Sequence, residues 1–447
     1  MWLRQAFVVD PSQNLAAERD IVLKDGVIIE IAQNLQPEDV RAVLGLSNSE
    51  QIPQVNAAGK YLFPGLVDAH VHLREPGQED KEDIRSGSRA AVRGGFTSIL
   101  AMANTKPVID QRALVEFVRI QGQRAGFAKV YPVAAVTKGF KGTELVEMMD
   151  LFEGGAVAFS DDGQGIQNSE IMRLALEYAK LTACPIIAHC EDNNLAGQGV
   201  MRRGEASARL GLRGIPASAE SVMVARDVLL AGETEGKLHI AHVSTKESVQ
   251  IIKKAKKLGI DVTAEVNPHH LLFTDEDISL TATAYKVNPP LPTRADQEAL
   301  IEGLLDGTID MLATDHAPHT WEDKAKPFAE VPFGINALET ALAAVWQGLV
   351  AKGKLSIQKL VELWSLKPAQ RFGLPAGMLK IGAPADMVLF DPDYKEEISA
   401  ANLESKSLNT PFLGKEMQGF PVMVWVDGKL LLENRQIIDV KNKRGNC

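Results

Sequence analysis

Cysteine is nearly missing from this chain: Cys184, Cys190 and Cys447 are its only thiols, too few and too unevenly spaced for a disulfide framework or a paired-cysteine zinc knuckle. That scarcity fits a reducing compartment, and a cytoplasmic location is expected. Cys190 stands next to His189 and is read as buried filler, since an unpaired thiol packs as a small apolar group. Positive charge is also short. Lys and Arg number 48 against 58 Asp and Glu, a formal charge of −10. The densest basic group, Lys253-Lys254 with Lys256-Lys257, reads as one solvated helix face, so neither nucleic acid nor an anionic membrane is an expected partner. A long apolar run is lacking as well: Met1-Trp2-Leu3-Arg4-Gln5-Ala6-Phe7-Val8-Val9-Asp10 meets charge too early for a signal peptide or a membrane span. What remains is 45% hydrophobic content over 447 residues, enough for one large core and a smaller module.

From Leu66 onward, short apolar stretches alternate with amphipathic helical patterns, the beat of repeated βα units. Eight strands are expected at Leu66–His70, Phe96–Met102, Val130–Val136, Gly155–Phe159, Pro185–Ala188, Leu238–Ala241, Asp261–Glu265 and Ile309–Ala313. Gly94-Gly95, Gly154-Gly155, Gly236 and Gly307 fall where the intervening helices should stop. Eight such units over about 250 residues make a (β/α)8 barrel, with further helices between Asn336 and Arg371 packed outside it. An open doubly wound sheet would gather its functional residues at one switch point instead. The flanks alternate with period two, in Asp20–Ile29 with a hairpin signal at Asp25-Gly26, and again in Ala385–Phe390 and Val422–Leu431. Since the barrel interrupts them, both termini are expected to build one small β-sandwich. The implied organisation is residues 1–60, the first part of the sandwich; 61–375, the barrel; and 376–447, the rest of the sandwich. The polar stretch from Pro37 to Pro53 reads as an exposed loop.

Six residues that could bind metal each follow a short apolar run: His70, His72, Asp162, His189, His242 and Asp315. In Asp68-Ala69-His70-Val71-His72 the alternation of strand side chains puts both imidazoles on one side. The others follow strands four, five, six and eight, and barrel enzymes build their sites at those C-terminal strand ends. His239, three residues from His242, points to the opposite side and is read as structural. Of Asp161 and Asp162, only one can face the axis. Four imidazoles and two carboxylates exceed a single tetrahedral site, so two divalent ions are the better arithmetic, and the ligand chemistry favours zinc. Asp315 could ligate through one oxygen and carry a proton on the other. Arg74 offers a planar fork to a substrate carboxylate. Asn104, Asn288 and His319 stand near the expected mouth. Phe333-Gly334 follows a charged loop, Trp321–Glu330, that could serve as a lid, and glycine there would let backbone amides approach a ligand. For Asn267-Pro268-His269-His270, core or supporting roles are preferred to ligation.

At this point the residues resemble the dihydroorotases of the amidohydrolase superfamily over nearly the whole chain. The carriers are Val67-Asp68-Ala69-His70-Val71-His72-Leu73-Arg74-Glu75-Pro76-Gly77 and Ala313-Thr314-Asp315-His316-Ala317-Pro318-His319, with His189-Cys190-Glu191-Asp192, Ser244–Ser248, Pro268-His269-His270 and Asn288-Pro289-Pro290-Leu291. The resemblance implies a zinc enzyme, with two Zn2+ per chain, that interconverts N-carbamoyl-L-aspartate and (S)-dihydroorotate in pyrimidine synthesis. It would make His70, His72, His189, His242 and Asp315 metal ligands and Asp162 the bridge. Relatives of the hydantoinase kind bridge with a carboxylated lysine, whereas Ser160-Asp161-Asp162-Gly163 offers none. Asp315 would be the catalytic acid–base. His72, Arg74, Asn104 and His319 would face the substrate and its carboxylate, and Asn288 with Phe333-Gly334 would seat the ring. A homodimer or a complex with aspartate transcarbamoylase is the partnership it implies. The rivals are another cyclic amide hydrolase, of the allantoinase or dihydropyrimidinase type, and an inactive scaffold for aspartate transcarbamoylase.

Overall fold

The computed structural model describes residues 1–439; Cys447 and the end of the expected 376–447 segment lie outside them. Five strands open the chain: β1 (Trp2–Asp10), β2 (Leu15–Lys24), β3 (Val27–Ala32), β4 (Gln54–Asn56) and β5 (Tyr61–Pro64). The barrel strands are β6 (Leu66–Val71), β7 (Phe96–Ala101), β8 (Lys129–Ala134), β9 (Ala158–Phe159) and β10 (Ile186–Ala188), then β13 (Leu238–Ile240), β14 (Val262–Val266) and β15 (Met311–Leu312). A two-stranded ribbon, β11 (Met201–Arg202) with β12 (Gly214–Ile215), interrupts them, and β16 (Met387–Glu397), β17 (Glu416–Val426), β18 (Lys429–Glu433) and β19 (Gln436–Ile437) close the described chain.

The eight barrel strands pair in parallel in chain order, as expected from the alternating pattern. The ring closes where β6 meets the segment after β15: Val71 bridges His316, and the His72 amide donates to the His316 carbonyl at 2.9 Å. Asp68 reinforces this seam by accepting from the Thr314 amide at 3.0 Å. Inside, Val67, Ala69, Leu100, Met102, Val133, Ala158, Ile187, Met311 and Ala313 form one buried cluster, capped by Phe372 and Leu374. The barrel is therefore a filled core, and its function is confined to the rim.

Helix termini follow the glycine signals with one exception. Gly95, Gly155 and Gly307 adopt the left-handed conformation that ends their helices. After helix Ser218–Thr234 that conformation falls to Glu235. Gly236 is small for another reason, since a Cβ there would lie 2.9 Å from Leu176 Cβ.

Strands from both termini join one nine-stranded sheet, with β5 pairing β1 on one side and β16 on the other. Its layers enclose a second core to which Leu3, Val8, Ile21 and Leu62 contribute from the first part of the chain and Met387, Leu389 and Trp425 from the last. The two Asp-Gly hairpin turns, Asp25-Gly26 and Asp427-Gly428, meet so closely that a Cβ on Gly26 would lie 2.9 Å from Gly428 Cα. The expected loop from Pro37 to Pro53 needs correction. Its first half is helix Pro37–Leu44, started by proline and two acidic residues and anchored by Val40, which is buried against Trp2 and Val22.

Candidate metal centre

All six expected metal-binding residues come together at the C-terminal rim. His70 lies in β6 and His72 just beyond it; His189 and His242 follow β10 and β13, while Asp162 and Asp315 lie in the turns after β9 and β15. Every one is buried. A register shift between Asp68 and Val71 marks a bulge in β6, a device that re-aims side chains at a rim. His242 and Asp315 hold φ values of 33° and 48°, and Arg74 one of 63°. Non-glycine residues in this region store strain, which clusters at functional sites.

Asp162 lies at the centre. Its Oδ1 is 3.4 Å from His70 Nε2, 3.4 Å from His189 Nδ1 and 3.6 Å from His242 Nε2. Two groups of potential metal ligands result, His70–His72–Asp162 and Asp162–His189–His242, and they share this one carboxylate. Asp315 Oδ1 adds a contact of 2.9 Å to His72 Nε2 and one of 3.6 Å to His70 Nε2. His70 Nε2 and Asp162 Oδ1 are buried without a protein hydrogen bond. Borderline nitrogen donors and hard oxygen donors so arranged, with orphaned polar atoms facing one another, fit a divalent metal.

Electrostatics support the same reading. Burial works to raise the Asp162 and Asp315 pKa values, but the neighbouring imidazoles outweigh it and hold both far below the usual carboxylate range. Burial works the opposite way on His70, and there Asp162 and Asp315 prevail and lift it well above the usual imidazole value. His189 is likewise raised, burial being outweighed by Asp162. The cluster is thus a buried anionic pocket that attracts positive charge, as protons or as metal.

Supporting groups surround it. His70 Nδ1 is 2.8 Å from Glu265 Oε1, and the other oxygen of Glu265 is 3.0 Å from His239 Nε2. Glu265 was not singled out from the sequence, although a glutamate at the end of the apolar strand Val262–Val266 was a usable signal. His239 keeps its expected structural place. Asp161 accepts from the Val136 and Thr137 amides, so only Asp162 reaches the centre. Glu220 was also missed: it accepts from the backbone and hydroxyl groups of Ser244 and Thr245, clamping the turn that follows His242. Cys190 points its thiol at Asp227 and joins neither ligand group. His270 Nε2 hydrogen-bonds the Pro289 carbonyl at 2.9 Å, and His269 pairs with Asn267.

A cavity of about 190 Å3 opens over the centre, with His72, Arg74, Asn104, Asn288, His319, Phe333 and Gly334 all in its wall. That is smaller than the roughly 300 Å3 at which drug-sized sites begin, a size for a small metabolite. Arg74 donates from Nε to the Pro318 carbonyl at 3.2 Å, with Nη2 3.5 Å from His319 Nε2. It is buried, and among the described residues it pairs with no carboxylate; burial pushes its pKa down to about 10 although Asp315 and Asp162 pull upward. Asn104 is held at both ends, by His72 Nδ1 at 2.8 Å and by Asp162 Oδ2 at 3.2 Å. His319, kept neutral by burial and by Arg74, donates from Nε2 to the Phe333 carbonyl at 2.8 Å. Asn288 Oδ1 is buried without a protein donor. The Gly334 amide is already bonded to the Lys286 carbonyl. The requirement for glycine there comes from crowding, since a Cβ would lie 2.6 Å from the Ala317 carbonyl oxygen.

Comparison with known proteins agrees with this architecture. A family model described as dihydro-orotase-like matches residues 59–248. The dihydroorotase of Pelotomaculum thermopropionicum is 48% identical over 430 residues, covering 96% of this chain and 98% of that protein. The dihydroorotase of a Geobacillus species (strain WCH70) is 47% identical over 91% of this chain and 96% of its own length. Among solved structures, an L-hydantoinase (dihydropyrimidinase) from Arthrobacter aurescens superimposes with a TM-score of 0.84 at 25% identity, over 98% of this chain and 97% of the other.

Proposed function

The chain belongs to the dihydroorotase family, and from that premise we propose that its rim cavity interconverts N-carbamoyl-L-aspartate and (S)-dihydroorotate, a cyclic amide hydrolysis run in either direction. The observation that carries the substrate assignment is Arg74. A buried guanidinium without an acidic partner is costly, and a substrate carboxylate arriving beside the metal centre relieves that cost. A hydantoin or dihydrouracil ring, which lacks the carboxylate, would leave Arg74 unpaired.

His70, His72, His189, His242 and Asp315 would hold two zinc ions, with Asp162 between them. Bound there, the ions would supply Lewis-acid polarisation of the scissile carbonyl and acidify the attacking water. The chain's own residues do the rest. Arg74 orients the ring carboxylate, with His319 and Asn104 completing that wall. Asn288 Oδ1 accepts a ring N–H, and the Phe333-Gly334 backbone limits how far the ring can tilt. In ring opening, Asp315 takes a proton from the attacking water and delivers it to the departing ring nitrogen. In closure the carboxyl group reacts in its protonated form: Asp315 takes a proton from the attacking ureido nitrogen and passes it to the departing hydroxyl oxygen, which leaves as water.

No helix among the described residues is long and apolar enough to cross a membrane. A cytoplasmic location, and a homodimer or a complex with aspartate transcarbamoylase, complete the proposal. The deciding experiment measures turnover of dihydroorotate, dihydrouracil and allantoin by metal-loaded protein, with zinc per chain determined on the same sample. Preference for dihydroorotate at two ions per chain is expected. Metal with preference for another ring would overturn the substrate assignment, and protein without either would indicate a scaffold.

A further inference from the structure

Between β16 and β17 the chain leaves the terminal sheet, and residues 405–410 run as a strap that is neither helix nor strand. Irregular segments ordinarily lie at the surface, because a buried one must find a partner for each of its polar groups. Here Ser405, Ser407, Asn409 and Thr410 are buried, while Lys406 between them is exposed. Outside the strap, the partners of Ser405, Ser407 and Asn409 lie in the barrel. Ser405 Oγ donates to the buried Glu82 carboxylate. The Asn409 side-chain amide donates to the Gly334 carbonyl at 2.7 Å, and the Asn409 carbonyl accepts from the Asn336 amide at 2.7 Å. Ser407 Oγ accepts from the His319 amide at 3.3 Å. None of these contacts is made to a metal-binding residue.

They converge instead on the backbone of the cavity wall. Gly334 has no side chain to anchor it, and its peptide groups are clasped from two directions, by the Lys286 carbonyl on its amide and by Asn409 on its carbonyl. His319 donates to the Phe333 carbonyl, and the carbonyl of its neighbour Pro318 receives Arg74 Nε. We propose that the terminal module takes part in substrate binding through this strap, with Asn409 and Ser407 as positioning residues for the wall that receives the ring carboxylate. Asn409 acts through Gly334 and Phe333, and Ser407 acts through His319 and Pro318 on Arg74. This deepens the dihydroorotase reading and rests on it. Because the strap touches the wall and not the metal centre, it governs how firmly the substrate is seated, and a seated molecule reacts at its usual rate.

Asn409→Ala and Ser407→Ala, assayed beside Thr410→Val, supply the test. Thr410 is buried in the same strap, but its hydroxyl meets the Phe412 amide, at 3.5 Å, and not the wall. Both alanine variants should raise KM for dihydroorotate by roughly 5- to 10-fold while kcat per zinc-loaded chain stays within about twofold of the parent. Thr410→Val should leave both constants within about twofold. A loss of stability alone lowers the active fraction, and with it the apparent kcat, without moving KM. Asn409→Ala should also speed hydrogen–deuterium exchange of the peptide spanning residues 331–336 by at least roughly fivefold. Should that variant fail to fold, Asn409→Asp, which keeps the size of the side chain and replaces its donor with an acceptor, provides the same comparison. An unchanged KM, with kcat falling in step with the unfolded fraction, would overturn the strap's role in binding. If the parent does not turn over dihydroorotate, the substrate reading falls and exchange decides the strap: faster exchange sustains it, and unchanged exchange overturns it.

Discussion

Asp315 combines two properties that a catalytic proton carrier needs. It is ionised, because nearby imidazoles outweigh its burial, and it borders the cavity. Asp315→Asn should retain the fold and lower kcat by roughly 10²–10⁴-fold; a variant within a few-fold of the parent in a steady-state assay would rule out the proton role. Arg74→Met should raise KM for dihydroorotate at least tenfold, on the order of one lost charged contact, with zinc content by mass spectrometry unchanged. The raised pKa values of His70 and His189 set a pH dependence. Below those values protons occupy the nitrogens that metal requires, so affinity for zinc rises with pH, and addition of zinc near neutral pH should acidify a weakly buffered solution. A pH electrode checks this directly. At this scale the six candidate ligands that converge at the rim were legible because each follows an apolar run. Glu265 and Glu220 were not, since each acts on a segment distant in sequence, and only the barrel's closure reveals which one.

The segment Thr320–Gly334 shows what an element adds to its residues. Its carbonyls are held from behind: Ala329 by Lys286 at 2.9 Å, Pro332 by Lys324 at 2.8 Å and Phe333 by His319. Gly334 sits at φ 140° in the crowded place described above. Gly334→Ala should therefore displace Phe333, raising KM severalfold with zinc content unchanged; an unchanged KM would show that the segment adjusts without cost. Elements were legible in proportion to their periodicity. All eight barrel strands lie where alternating apolar runs placed them, because buried parallel strands read as short apolar bursts. Helix Pro37–Leu44 was missed because a single buried residue, Val40, anchors it, and one apolar position makes no period.

Across the whole molecule, barrel and terminal sheet are joined by buried charge. Arg93, in helix Ile84–Gly94, pairs with Glu396 of β16 and donates to the Arg435 carbonyl, while Arg435 donates from Nε to Glu396 at 2.7 Å and from Nη1 to the Arg93 carbonyl at 2.6 Å. Removing Arg93 leaves Glu396 to Arg435 alone and takes the guanidinium from the buried Glu339 carboxylate, 3.5 Å away, at a cost of about 1–3 kcal/mol. Arg93→Met should lower the urea midpoint accordingly and leave kcat unaltered, because the cluster lies away from the rim cavity. The joining of the two termini into one sheet could be anticipated from matching patterns on either side of the barrel. The charged joint could not, since neither Arg93 nor Arg435 belongs to a motif.

The same sheet imposes a timetable on biosynthesis. Strand β5 ends at Pro64, and its partner β16 begins at Met387. At the roughly 5–20 residues per second of ribosomal elongation, one edge of β5 waits about 16–65 s for its neighbour. Throughout that interval an apolar strand edge is open to the nascent chains of adjacent ribosomes, an invitation to mispairing. A ribosome stalled within the barrel would thus release a fragment whose first strands have nowhere to go, and chaperone engagement of the nascent chain should persist until β16 has been synthesised.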